Sequence, residues 1–354
     1  MSKVAFVNVR RVSKEGVHDT VKKALSLTDW TKYVKGNKIF LKINGISDQV
    51  VPGQCTSPWV VEAVVKEVKE NFPKAKLFMG DADLAASKQF DTAAEIWGFR
   101  EIADRYGVRL VNLSSEPLVD VDCGGKVFKK LELPKVLVDA DTIINIPIPK
   151  SHCLTTITGC LKNHWGMVPR FRHQYHPVAN QAIPDINNYF RKTRFNLMDL
   201  TVSMEGNAPR TGISKVCGVI MASPDRVAAD YTIARFMGFD PEKIEHIKIA
   251  EDMGVGTTKD IEIVGDKFKP NPFMPPNPRT QPIFFWETNL RKVPVVKPLL
   301  FDTPIFDVLA AIATKYNTFW WYNRYGKKYI EQISKTQWCA EFKPLWEKMD
   351  TGKR

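Results

Sequence analysis

The sequence predicts an α/β fold: a doubly wound, mostly parallel sheet with two lobes, and a helical, aromatic-basic C-terminal extension. Short apolar runs recur through the first half, at residues 4–9, 38–43, 76–79, 109–113 and 142–146, and KIFLKI at 38–43 is apolar enough to be buried on both faces. Segments of helical spacing separate them. Several runs also end in polar groups, as strands do where such a sheet builds its site.

Each element has a local reason. Residues 16–27 place Val17, Val21, Ala24 and Leu25 at helical spacing after the first strand. A polar loop, 45–55, follows the second strand, and Ser57 with Pro58 forms an N-cap and first turn for a helix over 58–71. The third strand ends in Gly80, Asp81, Ala82 and Asp83. Residues 92–106 are amphipathic, 109–113 form a fourth strand, and alternation over 118–133 around Gly124 and Gly125 reads as a β-hairpin. Beyond 176 come a polar helical segment at 184–192, strands at 195–202 and 215–222, a helix over 226–237 with Asp225 and Asp230 at its first turn, a helix at 247–253 and a strand at 261–264. The expected organisation is an α/β core at 1–265, a Pro-rich connector at 266–302 and the extension at 303–354.

Composition sets the class. The chain has 354 residues, 44% hydrophobic and 25% charged, as in ordinary globular proteins, and a net charge of +12 that favours anionic partners. No signal-peptide pattern opens it and no apolar run approaches a membrane span, so a cytoplasmic location is expected. The six cysteines form no CxxC pair, so reduced thiols are expected and no intrinsic iron–sulfur motif is present. Residues 266–354 hold 15 Lys and Arg against 8 Asp and Glu, interleaved with Phe319, Trp320, Trp321, Tyr322, Tyr325, Tyr329, Trp338 and Trp346. Such a helix packs its aromatics on its own domain or offers 303–354 to nucleic acid, a membrane surface or a protein partner.

The chemistry concentrates in IINIPIPKSHCLTTITGCLKNHWGMVPRFRHQYH, residues 143–176, which carries four of the six histidines. It opens as a buried strand and turns through Lys150, Ser151 and His152. A histidine of near-neutral pKa and lysines in an anionic site suit proton transfer or anion clamping. The candidate catalytic residues are His152, Lys162, Lys150 and Asp81. Candidate substrate- or anion-binding residues are Lys42, Asn44, Ser57, Asn163, Glu205 and Asn207. A metal would fall to His152, His164 and His176, although the spacing of nine and three from His164 through His173 to His176 matches no ligand pattern. Phosphate-loop, dinucleotide and nucleophile-elbow motifs are absent.

The segments KINGIS, CTSPWVVEAVV, GDAD, INIPIPKSHCLTTITGCLKNHWGMVP, MEGNAPRTG and SPDRVAADYTIARFMGFDP resemble the blocks of the family catalogued as domain of unknown function 362, over about residues 40–260. The resemblance implies a cytoplasmic α/β protein of unsettled biochemical role. Some relatives carry a ferredoxin-like module, whose cysteine runs this chain lacks. His152, Thr158, Gly159 and Lys162, with residues 56–61 and the strand ending at Gly80, also resemble the catalytic domain of nickel-pincer lactate racemases, in which the lysine holds the pincer nucleotide. That family's Asp-x-Thr-Arg motif has no counterpart at 55–58.

The expected function is an enzyme acting on a small anionic metabolite or cofactor by Lys/His acid–base chemistry, of isomerase, racemase-like or transferase type. A divalent metal or a nucleotide-derived cofactor is the cofactor expectation. The alternatives are a non-catalytic protein that binds RNA, a membrane surface or a protein complex through its tail, and an iron–sulfur-linked redox protein. Oligomeric state stays open.

Overall fold

In the computed structural model, residues 1–84, 89–277 and 305–350 are described, with positions 279, 289, 293 and 303. The stretch 266–302 lies almost wholly outside them from 278 on. The strands are β1 Ser2–Asn8, β2 Lys38–Lys42, β3 Lys76–Asp81, β4 Arg109–Asn112, β5 Leu118–Asp122, β6 Lys130–Pro134, β7 Thr142–Asn145, β8 Lys150–His152, β9 Thr156–Thr158, β10 Thr193–Glu205, β11 Ile213–Ser223 and β12 Ile261–Gly265. β5 and β6 make the hairpin read from their alternation. The others form one sheet in the order β12-β1-β11-β10-β7-β2-β3-β4, with β8 beside β10 and β9 beside β8.

The sheet is parallel from β10 through β4; β11 runs antiparallel to both its neighbours. The chain winds outward from β2 through β3 to β4, then returns to β7 and β10 on the other side of β2. The strand order therefore reverses between β2 and β7. That is where a doubly wound sheet opens a crevice at its carboxyl ends.

Alternation along buried strands feeds two cores, one on each face of the sheet. Ile39 and Leu41 point to one, Phe40 to the other. The first core takes helices α1 Lys14–Leu27, α2 Pro58–Asn71, α3 Phe90–Ile96 and α4 Phe99–Tyr106. The second takes α5 Lys135–Val138, α6 Cys160–Asn163, α7 Ala179–Tyr189, α8 Arg226–Phe236 and α9 Glu245–Asp252. At about 1.5–3 kcal/mol for each fully buried large apolar side chain, this burial outweighs any surface ion pair.

Three local readings change. The amphipathic stretch 92–106 is two helices, because Gly98 sits at φ 77 and breaks the run beside buried Trp97. Residues 136–138, an apolar run that reads from sequence as a strand segment leading to 142–146, belong to α5. Lys150 to His152 are a strand, held by Lys150 against Met204 of β10 and by antiparallel pairing with β9.

The tail continues as α10 Ile305–Lys315, a π-helical run Tyr316–Gly326, α11 Lys327–Ser334 and α12 Cys339–Asp350. Ile333, Trp338 and Phe342 enter the first core, and Trp97 meets Phe342 edge-on at 6.3 Å. Trp346 Nε1 donates to the Val50 carbonyl at 2.9 Å. Ser57 caps α2, accepting from the Val60 amide at 3.2 Å, and gives its hydroxyl proton to buried Glu341. Burial pushes the Glu341 carboxyl up to about 8, from an ordinary 4.5.

The docked tail thus holds a proton that Glu341 releases when undocked. Docking is strongest in acid and weakens as pH rises from about 4.5 to about 8. Calorimetric melting should show the wild type losing stability across that window relative to Glu341→Gln, by a few kcal/mol at its upper end. Parallel curves for the two proteins would contradict this account.

Candidate functional site

Strand register lines up polar groups along the carboxyl edge of the sheet. Asn112 of β4 stands opposite Asp81 of β3, Lys42 of β2 opposite Gly80 and Asn145, and Asn145 of β7 opposite Asn196 of β10. Lys42 Nζ lies 2.6 Å from Asp81 Oδ1 and donates to the Ile43 carbonyl at 2.7 Å. Asp81 also accepts from the amides of Ala82 at 2.8 Å and Gly45 at 2.9 Å. The pair is buried. Gly166 makes room for it: a Cβ there would stand 2.4 Å from Asp81 Oδ1 and 3.0 Å from Lys42 Nζ.

An asparagine chain crosses the point where the strand order reverses. Asn44 donates to Asn163 at 3.4 Å, Asn163 to Asn145 at 2.8 Å, and Asn145 to Asn196 at 3.1 Å. Beside it Lys150 Nζ donates to Asn44 Oδ1 at 3.0 Å and to the Gln54 carbonyl at 2.5 Å. Burial lowers Lys150 to about 8, with Cys55, Asp81 and Asp199 opposing the shift.

Lys162 differs from both. It sits on the single turn of α6, whose first amides, Cys160 and Leu161, donate to Asp230 at 2.5 and 2.9 Å. Asp230 was expected to serve its own helix; it instead fixes this turn, and Asp225 caps α8. A Cβ on Gly159 would stand 2.2 Å from Asp230 Oδ1, so glycine allows the approach. Lys162 borders a cavity and is half-buried by area, yet it lies deep among protein atoms. Burial, then Arg172 and Lys150, bring its pKa down to about 7. No described residue pairs with its ammonium.

His152 is buried, and that burial, reinforced by Lys162 and His176, holds its pKa well below the usual value. Its Nδ1 accepts the Leu154 amide at 3.0 Å. The neutral ring therefore carries its proton on Nε2, and His152 is a hydrogen-bond donor near neutral pH.

The cavity encloses about 730 Å³ and gathers most of the residues expected from sequence: Lys42, Asn44, Asp81, Lys150, His152, Lys162, Asn163, Asn207 and His176. Sequence reasoning missed Arg172 and Arg210, which add two cations to its wall, as well as Trp165 and the tail aromatics Tyr316, Trp320, Trp321, Tyr325 and Tyr329. Burial lowers Arg172 to about 10 and lowers Arg210 as well. Buried polar atoms of Arg172 (Nε), Arg210 (Nε and Nη2), Thr158 (Oγ1) and Trp165 (Nε1) have no hydrogen-bond partner among the described residues. Asp81 is the one carboxylate among the described lining residues, against five cations.

Three expected residues do not join the cavity. Ser57 spends its hydroxyl on Glu341 and its amide on Asp199, at 2.7 Å for the latter. Glu205 pairs with Lys215 at 3.0 Å and accepts the Met274 amide at 2.9 Å. His164 is buried away from the wall, with Nδ1 2.9 Å from the Cys160 carbonyl and Nε2 2.7 Å from Thr193 Oγ1. The metal set His152, His164 and His176 is therefore not assembled, and no three His, Cys, Asp or Glu groups among the described residues are placed to hold a metal. His176 instead stacks on Trp165, with ring centroids 5.8 Å apart, and meets the edge of His173.

The sequence profile of the family described as "Domain of unknown function" 362 matches residues 39–235, more than half the chain, and spans the Lys42, Asp81, Lys150 and Lys162 segments. The chain belongs to this family. A thylakoid-associated protein of Synechocystis sp. is 29% identical over 232 residues, covering 63% of this chain and 70% of its own. Among solved structures, the lactate racemase apoprotein of Thermoanaerobacterium thermosaccharolyticum superposes with a TM-score of 0.43 at 13% identity, covering 71% of this chain and 56% of that one. A Thermotoga maritima protein gives 0.38 at 12%, covering 70% and 60%. This domain of unknown function 362 protein thus spans little more than half of either solved chain. At these scores and identities the two likenesses speak to neither activity nor cofactor.

The Lys42–Asp81 pair sets the floor of the site. Asp81→Ala strands a buried ammonium and two amides and should cost about 3–5 kcal/mol in urea denaturation. A loss within 0.5 kcal/mol, the size typical of a surface substitution, would show that the pair is not buried in solution.

Proposed function

We propose that this protein is an enzyme that binds a small anionic metabolite, or an anionic cofactor, in the cavity and moves a proton at Lys162. The observation that carries the reading is a lysine with no partner among the described residues, shifted to about 7, on the wall of a cavity whose described lining has an excess of cations. Near neutral pH such an amine is divided between its two protonation states, the condition for efficient general acid–base work. It is also a nucleophile in its neutral form.

The roles divide by environment. Lys150, anchored on Asn44 and Gln54, and Arg172, anchored on the Val168 and Asp83 carbonyls, clamp the anion. His152 gives an Nε2 hydrogen bond to an oxygen of the ligand, replacing the acid–base role the sequence suggested for it. Lys162 moves the proton. Arg172 Nε and the Arg210 donors, which make no hydrogen bond among the described residues although Arg210 Nη2 stands 3.6 Å from Asp48, suit a free phosphate or carboxylate and equally the phosphate of a nucleotide-derived cofactor. A divalent metal does not fit the donor set, since the hydrogen bond at His152 Nδ1 leaves Nε2 protonated. The free thiols accord with a reducing, cytoplasmic setting. Assigning the tail to the cavity, rather than to a nucleic-acid or protein partner, is supported by the five tail aromatics that line it.

Isothermal titration with inorganic phosphate tests the reading. Lys162→Met should weaken binding by about 10- to 100-fold, the worth of one charge-assisted hydrogen bond. For sulfate, whose charge is constant near neutral pH, wild-type affinity should also fall as pH rises through about 7, because the site loses a positive charge. Equal affinities for the two proteins would overturn the proposal.

A further inference from the structure

The tail's aromatics follow an unusual spacing. Tyr316, Trp320 with Trp321, Tyr325 and Tyr329 recur every four to five residues. An α-helix would carry them around to opposite faces. The run Tyr316–Gly326 is wound as a π-helix, bonded i to i+5 at roughly 4.4 residues per turn, and this keeps them in line. All five line the cavity, and the part of its wall that the tail forms is its roof.

The outer side of the roof is apolar as well. On α10 and the π-helical run, Val308 is 57% exposed, Ile312 55% and Phe319 67%, and Ile305 and Leu309 are exposed beside them. Ile305, Val308, Leu309 and Ile312 fall at the i, i+3, i+4, i+7 spacing of one helical stripe. Tyr316 and Trp320 are both exposed and cavity-lining, so the stripe reaches the cavity mouth. From 308 to 330 the sequence carries Lys315, Arg324, Lys327 and Lys328 and neither Asp nor Glu. Arg324 packs over the Trp320 ring at 5.4 Å. No helix among the described residues is long and apolar enough to cross a membrane.

We propose that the roof helix lies in the interface of an anionic lipid bilayer, and that the cavity draws from it an amphiphilic anion, headgroup to the lysines and apolar body against the aromatic roof. The substrate class rests on the anion-binding reading above; the docking surface does not. An apolar stripe with aromatic residues and cations on its flanks is the pattern of a helix that rests on a bilayer without spanning it. Its cations match anionic headgroups, and a bare apolar stripe of this size is costly in water. A polarity that runs from buried cations to exposed aromatics fits a ligand with a charged end and an apolar end.

Co-sedimentation of the full chain with phosphatidylglycerol vesicles, and with phosphatidylcholine vesicles, tests the surface. Binding should favour phosphatidylglycerol and fall steeply with salt. Val308→Glu/Ile312→Glu, at exposed positions outside the cavity, should lower vesicle binding at least tenfold while leaving the circular dichroism and phosphate titration unchanged. Lys327→Gln/Lys328→Gln should lower it by roughly tenfold or more. With vesicle binding in hand, a short-chain lysophosphatidylglycerol below its micelle concentration should bind the wild type and lose affinity tenfold in Trp320→Ala. Failure to bind vesicles, retention of binding by the glutamate variant, or capture of RNA or protein in place of lipid would overturn the docking surface. Lysophospholipid affinity no better than that of glycerol phosphate would overturn the substrate class, while intact phosphate binding would leave the anion-binding reading standing.

Discussion

Five cations and one carboxylate share the wall of a single cavity among the described residues, and much of the site follows from that imbalance. Each charge carries a desolvation cost. The chain meets it differently at each lysine: Lys42 by an ion pair with Asp81, Lys150 by two neutral oxygens, Lys162 by no partner among the described residues. The order of these arrangements is the order of their freedom to act. A paired lysine is structure, a lysine on neutral acceptors retains charge for a ligand, and an unpaired one lowers its pKa toward neutrality.

The fold makes this arrangement affordable by bringing rigid strand ends together. Lys42, Asp81, Asn145 and Asn196 belong to four adjacent strands, and their register is fixed by the cores on both faces of the sheet. The asparagine chain between them satisfies the polar groups without adding a negative charge that would quench the site. The tail supplies the aromatic part of the wall. Glu341 seats it on the start of α2, and the π-helical run brings Tyr316, Trp320, Trp321 and Tyr325 to the cavity, so the cavity depends on contacts between residues nearly 300 positions apart in the chain.

Much of the sheet was legible in the sequence because parallel strands buried on both faces read as continuous apolar runs. The polar strand ends at Lys42 and Asp81 were legible for the same reason, each closing such a run at its carboxyl end, and Lys150 stood out as the residue that ends the apolar run 143–149, although it opens β8. Ser57 misled because its pattern announces an N-cap, while the partner of its hydroxyl lies 284 residues away. His164 misled because two residues on one helical turn are separated by roughly 200°, so it turns away where Lys162 faces the cavity. Arg172 lies in a 3₁₀ helix, Arg170–Val178, and Arg210 in a turn, neither with an apolar period that would mark it. The aromatic roof did leave a trace, the four-to-five spacing from Tyr316 to Tyr329, which becomes meaningful only once π winding is considered.

The ionisation of Lys162 tests the central claim most directly. In protein labelled with carbon-13 at the lysine ε positions, the resonance lost in Lys162→Arg should titrate in the wild type with a midpoint of about 7. Bound phosphate should move that midpoint upward, since an anion favours the charged amine. A midpoint near the ordinary 10.5, unmoved by phosphate, would show that Lys162 is an unremarkable solvated cation and that the cavity does not impose the chemistry assigned to it.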